Sequence, residues 1–142
     1  MGLIVLDTGV LVGILDARDP FHGGARLRLG EAREAGDRFT VPALAYAELL
    51  TGASLHEEEA ARTVDVFLER LPAPVEPVDR RVAREAARLR ARTLADRRRR
   101  QWRMPDALVA ATAIVQGAGR ILTTDAGWPE LGEVEVEVLL RD

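Results

Sequence analysis

Leu3-Ile4-Val5-Leu6 is apolar at every position rather than at alternate ones. A run that short and uniform reads as a strand covered on both faces, and Asp7 follows it at once. Helix-like and strand-like segments then alternate along the chain. Residues 10–15 have a helical pattern stopped by Asp19-Pro20, and residues 22–35 have helical spacing closed by Gly36-Asp37. Residues 39–41 form a second short strand cut off by Pro42, and residues 43–50 a helix ending near Thr51-Gly52. The next helix, 57–71, gathers Ala60, Ala61, Val64, Phe67, Leu68 and Leu71 on one face. Beyond the Pro72-Ala73-Pro74 break, residues 75–78 read as an edge strand. Residues 80–95 follow as a helix with Val82, Ala86 and Leu89 inward, and residues 96–103 as a charged loop. Pro105 suits a first helical turn, and residues 107–115 are almost wholly apolar, so that helix should be central until Gly117-Ala118-Gly119 stops it. Residues 120–123 and 134–140 supply the last strands. This alternation predicts an α/β fold with three α/β/α layers around a parallel sheet of four to five short strands. A length of 142 residues fits a single domain over 1–142.

In such a sheet the functional crevice lies beyond the carboxyl ends of the strands. Asp7 follows the first strand, Asp125 follows Ile121-Leu122-Thr123-Thr124, Asp106 opens the apolar helix, and Glu48 lies on a helix that starts just after a strand. All four can converge at one edge. Singly, each has a plainer role. Asp7 can be an N-cap, Asp106 a complement to the helix dipole, Asp125 a turn-former, and Glu48 a solvent-facing residue. Jointly, carboxylates gathered among apolar residues need neutralising, and a hard divalent cation suited to phosphate chemistry does so.

Composition removes several alternatives. There is no cysteine, so neither a disulfide nor a thiolate metal site is available. His22 and His56 lie outside the acidic segments and carry no case for catalysis. All 20 basic residues are arginine. Without lysine the chain cannot be a P-loop nucleotidase or a phospho-receiver domain. No basic, apolar leader opens the sequence, and the apolar stretches fall short of the ~20 residues that span a bilayer, so a cytoplasmic protein without membrane contact is expected. The net charge of −3 conceals an asymmetry: residues 79–103 hold eleven arginines against Asp79, Glu85 and Asp96, a local charge of +8, which leaves −11 elsewhere. Such a split argues for nucleic-acid contact, against the plainer alternative of a solvated helix face. Met104 and Trp128 are expected in the core. Asp16, Asp19 and the Glu57-Glu58-Glu59 run are expected at the surface.

The opening strand with Asp7-Thr8, the Ala47-Glu48-Leu49 segment, the stretch Pro105-Asp106-Ala107-Leu108-Val109-Ala110-Ala111-Thr112-Ala113, and Leu122-Thr123-Thr124-Asp125 together resemble the PIN-domain ribonucleases, of the VapC-like kind found as toxins in VapBC toxin–antitoxin pairs. The resemblance runs from residue 3 to about residue 128, and the third segment is its most specific part. Three positions depart from the pattern: Gly9 stands where Ser or Asn is common, Gly127 where many relatives carry another acid, and Trp128 where Phe is usual.

The resemblance implies that Asp7, Glu48, Asp106 and Asp125 hold one or two Mg²⁺ or Mn²⁺ ions, which lower the pKa of a water and offset charge on the phosphate. Glu48 or Asp106 would orient or deprotonate that water, leaving 5′-phosphate and 3′-hydroxyl ends. Thr8 and Thr123 would hold the carboxylates in place, ordinary capping being their other role. Arg97, Arg98, Arg99, Arg100 and Arg103 would form a flexible cationic segment contacting RNA phosphates, with Trp102 stacking on a base or, more simply, packing on the domain. The implied partners are an RNA substrate (a tRNA or rRNA loop), a VapB-like antitoxin and a second copy of the chain, with helices over 43–71 as interface. A non-catalytic RNA- or protein-binding module of the same fold is the alternative. A haloacid-dehalogenase-like phosphatase fits poorly, because Gly9 occupies the place of its second aspartate.

Overall fold

The computed structural model describes residues 2–54 and 58–142, with Ala53 and Ser54 described by their backbone alone. His56, Glu57 and the expected start of the fourth helix at residue 57 lie outside these. Five strands form one sheet: β1 (Leu3–Leu6), β2 (Arg38–Pro42), β3 (Val75–Glu76), β4 (Arg120–Thr123) and β5 (Glu135–Val138). Their order is β3-β2-β1-β4-β5, and every neighbouring pair is parallel. Among the described residues six helices cover the sheet: α1 (Thr8–Leu15), α2 (His22–Glu34), α3 (Ala43–Ser54), α4 (Glu58–Arg70), α5 (Arg80–Leu94) and α6 (Met104–Gln116). None of the described helices is long and apolar enough to cross a membrane.

The uniform apolarity of β1 follows from this layering. Successive strand side chains point to opposite faces, and both faces are covered. Ile4 and Leu6 pack with Val10, Leu11, Ala25 and Leu29 in one cluster, while Val5 packs with Leu89, Ala110 and Ile121 in the other. Strand β4 divides the same way, Leu122 to the first cluster and Ile121 to the second. Burial on both sides is what a central parallel strand requires.

Several boundaries shift from the sequence reading: the strand expected over 75–78 covers Val75–Glu76, and the one expected over 134–140 covers Glu135–Val138. Pro42 is the last residue of β2 rather than its terminator, paired in register with Glu76 of the two-residue edge strand β3. It sits where the ladder ends, so its missing N–H breaks no central pairing. Helix α3 runs through Gly52 to Ser54 instead of stopping at residues 51–52. The other stops fall as expected: Gly117 closes α6 in the left-handed conformation at φ 67°, a cap that suits glycine.

The chain leaves β1 for β2 and β3 on one side, then returns through α5 and α6 to β4 on the other side of β1. The strand order therefore reverses between β1 and β4. Asp7 and Asp125 follow these two adjacent strands, at the place where parallel sheets open a crevice.

Candidate active site

Asp7 leaves β1 with its backbone N–H donating to the Leu122 carbonyl of β4 (3.0 Å) and becomes the N-cap of α1. Both of its carboxylate oxygens are held: Oδ1 accepts from the Thr8 backbone N–H (2.9 Å) and Oδ2 from the Thr123 hydroxyl (2.8 Å). The Thr123 oxygen also accepts the Asp125 backbone N–H (3.1 Å). One fully buried hydroxyl thus locks the ends of β1 and β4 together and fixes two acidic residues relative to each other. Asp125 then turns the chain, its Oδ1 accepting from the Gly127 N–H (2.7 Å). A side chain on Gly127 would bring a Cβ within 2.9 Å of that oxygen, so glycine there protects the turn.

Asp106 lies in the first turn of α6, behind Pro105, and Glu48 projects from α3. The structure brings these two to the Asp7–Asp125 edge. One cleft of about 420 Å³ is lined by Asp7, Glu48, Asp106 and Asp125 together with Thr8 and Arg103. A larger hollow of about 580 Å³ lies between α1, α3 and α4, but it lacks this convergence of acids.

Mutual repulsion and burial act on the carboxyls in the same direction. Burial, then the charges of Asp7 and Asp125, push Asp106 from its ordinary 3.8 to about 6, with Arg103 opposing the rise. Burial chiefly raises Asp7, against its hydrogen bonds from Thr123 and Thr8. Glu48, at the exposed rim, is raised by partial desolvation of its carboxyl and by the charge of Asp7, and the nearby Thr8 hydroxyl lowers it. That hydroxyl is buried and makes no well-formed hydrogen bond. Of the two threonines expected to hold carboxylates, Thr123 does so by its side chain and Thr8 by its backbone.

The donor set fits a hard divalent cation. It offers four carboxylates, with one guanidinium nearby to offset them. Among the described residues no three acidic or histidine side chains already form a group that could hold an ion directly. Mg²⁺ needs no such cage, since it keeps several waters and binds through one or two carboxylates plus substrate phosphates.

The arginines divide. Arg103 lines the cleft, and Arg100 reaches the Asp125 turn, its Nη1 3.4 Å from where a Cβ on Gly127 would stand. Arg97, Arg98 and Arg99 are exposed and do not line the cleft, Arg99 lying 3.8 Å from Asp96. The loop expected to be flexible is tied to the end of α5: Gln101 Nε2 donates to the Thr93 carbonyl (2.6 Å), the Trp102 N–H to the Thr93 hydroxyl (3.1 Å), and Arg90 Nε to the Trp102 carbonyl (3.2 Å). Trp102 is 2% exposed and meets Trp128 edge-on at 5.5 Å, so it is core and cannot stack on a base. Met104 corrects the opposite expectation. It is 43% exposed, because it opens α6 one turn before that helix's buried face begins at Ala107.

The site also contains Thr124, which sequence reasoning passed over. Its side chain lines the cleft and fills the space beside Gly9, where a Cβ would overlap its hydroxyl and lie 3.2 Å from its own Cβ. The only sequence signal was a glycine in the first turn of α1, where glycine costs helix stability.

Comparisons with known proteins bear on the fold and the family. A chain of the DNA-bound VapBC complex from Salmonella typhimurium superposes with a TM-score of 0.72 at 20% identity, covering 97% of this chain and 98% of that one. A chain of VapBC2 from Rickettsia felis, bound to a promoter DNA fragment, gives 0.71 at 18% identity, with 96% and 98% covered. The sarcin–ricin-loop-cleaving toxin VapC20 of Mycobacterium tuberculosis gives 0.61 at 20% identity, with 83% and 86% covered. At these identities the likeness concerns the fold. A search of curated proteins found no match. The PIN domain family matches residues 4–134, with all four acids inside that span, and the chain therefore belongs to the PIN domain family.

Proposed function

We propose that this PIN domain is a Mg²⁺- or Mn²⁺-dependent endoribonuclease, the toxin of a type II toxin–antitoxin pair, acting on RNA in the cytoplasm. The observation that carries the reading is the gathering of Asp7, Glu48, Asp106 and Asp125 at one sheet edge, where burial and then the charges of Asp7 and Asp125 raise Asp106 to about 6. Carboxylates so placed are stabilised by a bound cation and by little else available in the cleft. Asp7, Asp106, Asp125 and Glu48 are the residues that would hold it. A divalent ion there would supply Lewis acidity, activating water and offsetting charge on the phosphate.

The chain's own groups do the remainder. Thr123 keeps the Asp7 carboxylate from rotating and sets Asp125 against it. Asp106, or Glu48 at the rim, would orient the attacking water or take its proton. Arg103 and Arg100 flank the acids on the side from which a phosphate would be drawn in. The toxin assignment and a VapB-like partner rest on likeness to VapBC chains.

Manganese titration followed by electron paramagnetic resonance tests the metal site. The wild type should bind Mn²⁺, and Asp7→Asn and Asp106→Asn should each weaken binding about tenfold or more. Equal affinity in all three folded proteins would remove the basis of the reading.

A further inference from the structure

We infer that the Thr124 hydroxyl is a substrate-binding group of the cleft, donating to a phosphate oxygen of the RNA, and that Gly9 is glycine in order to leave it room. The inference rests on the nuclease reading above. Ionised carboxylates only accept hydrogen bonds, so Asp7, Glu48, Asp106 and Asp125 offer a phosphate nothing to bind. The side-chain donors that line the cleft are Arg103, Thr8 and Thr124. The Thr8 hydroxyl is buried. Thr124 is half-buried, and its hydroxyl has no hydrogen-bond partner among the described residues yet is not sealed from solvent. Of the two cleft hydroxyls without a hydrogen-bond partner among the described residues, Thr8 and Thr124, it is therefore the one that a substrate can reach, one residue before Asp125.

Its position depends on the opposing helix. Gly9 sits in the first turn of α1 with no positive φ, so its backbone does not demand glycine. Contact does. Any side chain at residue 9 would overlap the Thr124 hydroxyl and press on its Cβ, forcing the hydroxyl to turn away. The two residues are 115 positions apart in sequence and occupy one small volume between them.

The experiment measures binding of a fluorescein-labelled, mixed-sequence single-stranded oligoribonucleotide with Mn²⁺ present, together with its cleavage rate and the protein's Mn²⁺ affinity. Thr124→Val should weaken RNA binding about tenfold, the value of one hydrogen bond to a charged oxygen, with Mn²⁺ affinity kept. Thr124→Ser should stay close to wild type. Gly9→Ala, which keeps the hydroxyl but displaces it, should behave like Thr124→Val. Gly9→Ser with Thr124→Ala returns a hydroxyl to the same space from the other side and should recover most of the loss. A Thr124→Val protein that binds and cleaves like wild type overturns the inference, as does one that loses Mn²⁺ instead. Failure of the wild type itself to bind Mn²⁺ and cleave overturns the nuclease reading, a result distinguishable from either.

Discussion

At the residue scale the site depends on a few atoms with no slack. Thr123 donates to Asp7 and accepts from Asp125, so a single hydroxyl sets the distance between two acids from different strands. Thr123→Val keeps the shape, removes both bonds and leaves the N–H of the Asp125 turn short of its acceptor. We expect cleavage to fall about tenfold or more, with a stability loss of roughly 1–3 kcal/mol, read from denaturant unfolding. Asp106 makes a contrary prediction. Its folded pKa of about 6 exceeds its ordinary 3.8, so the native state binds the extra proton and metal-free stability declines as pH rises through that window. Asp106→Asn escapes the decline. Without metal it should be more stable than wild type by on the order of 1 kcal/mol near neutral pH, after allowing for solvent screening, with the gain gone by about pH 4. A variant no more stable than wild type near neutrality would show that the acids do not strain one another. The four acids were legible because each follows a local signal, a strand end or a helix start. Thr124 was not, because its importance lies in its packing against Gly9 across the fold.

At the element scale, the α5–α6 pair and its loop explain how an arginine-rich segment comes to stand at an acidic cleft. Helix α5 begins with Asp79 capping the Val82 N–H (3.0 Å) and buries Val82, Ala86, Leu89 and Thr93. The loop returns over its last turn and plunges Trp102 into the core against Trp128. Of the two roles the sequence left open for Trp102, packing on the domain is the one the structure shows, though little in the sequence marks it. A tryptophan between Arg97-Arg98-Arg99-Arg100-Gln101 and Arg103 has no apolar neighbour to mark it as buried, whereas the helices around it announce themselves by periodicity. The expectation of a buried Met104 erred, since apolar character does not say where a helix meets the core. Trp102→Ala should cost about 3–5 kcal/mol and release the loop. Trp102→Phe should cost far less, because the indole N–H is buried without a partner and its loss forfeits no hydrogen bond. Thermal unfolding of the two variants decides; equal losses would mean that the ring does not anchor the loop.

Across the whole molecule, an arginine-rich stretch of sequence ends beside an acidic cleft. Residues 79–103 carry +8 and the remainder −11, with Asp7, Glu48, Asp106 and Asp125 on the acidic side and Arg100 and Arg103 at the boundary. That arrangement suits a polyanion held by one region while its backbone is presented to another. Replacing Arg97 and Arg98 by Ala, outside the cleft, should weaken RNA binding alike for all sequences and flatten its salt dependence by about 0.7 for each phosphate left without its arginine. An unchanged salt slope would assign these arginines to the solvated surface. The measurement that bears most directly on the central claim is cleavage of a total cellular RNA pool by wild type, Asp7→Asn and Asp106→Asn, with added Mg²⁺ or Mn²⁺ and with chelator. The account predicts discrete fragments from wild type alone, abolished by chelator and reduced about a hundredfold or more in either variant. Intact RNA under both metals, from folded protein that binds Mn²⁺, would contradict it and make this PIN domain a binding module.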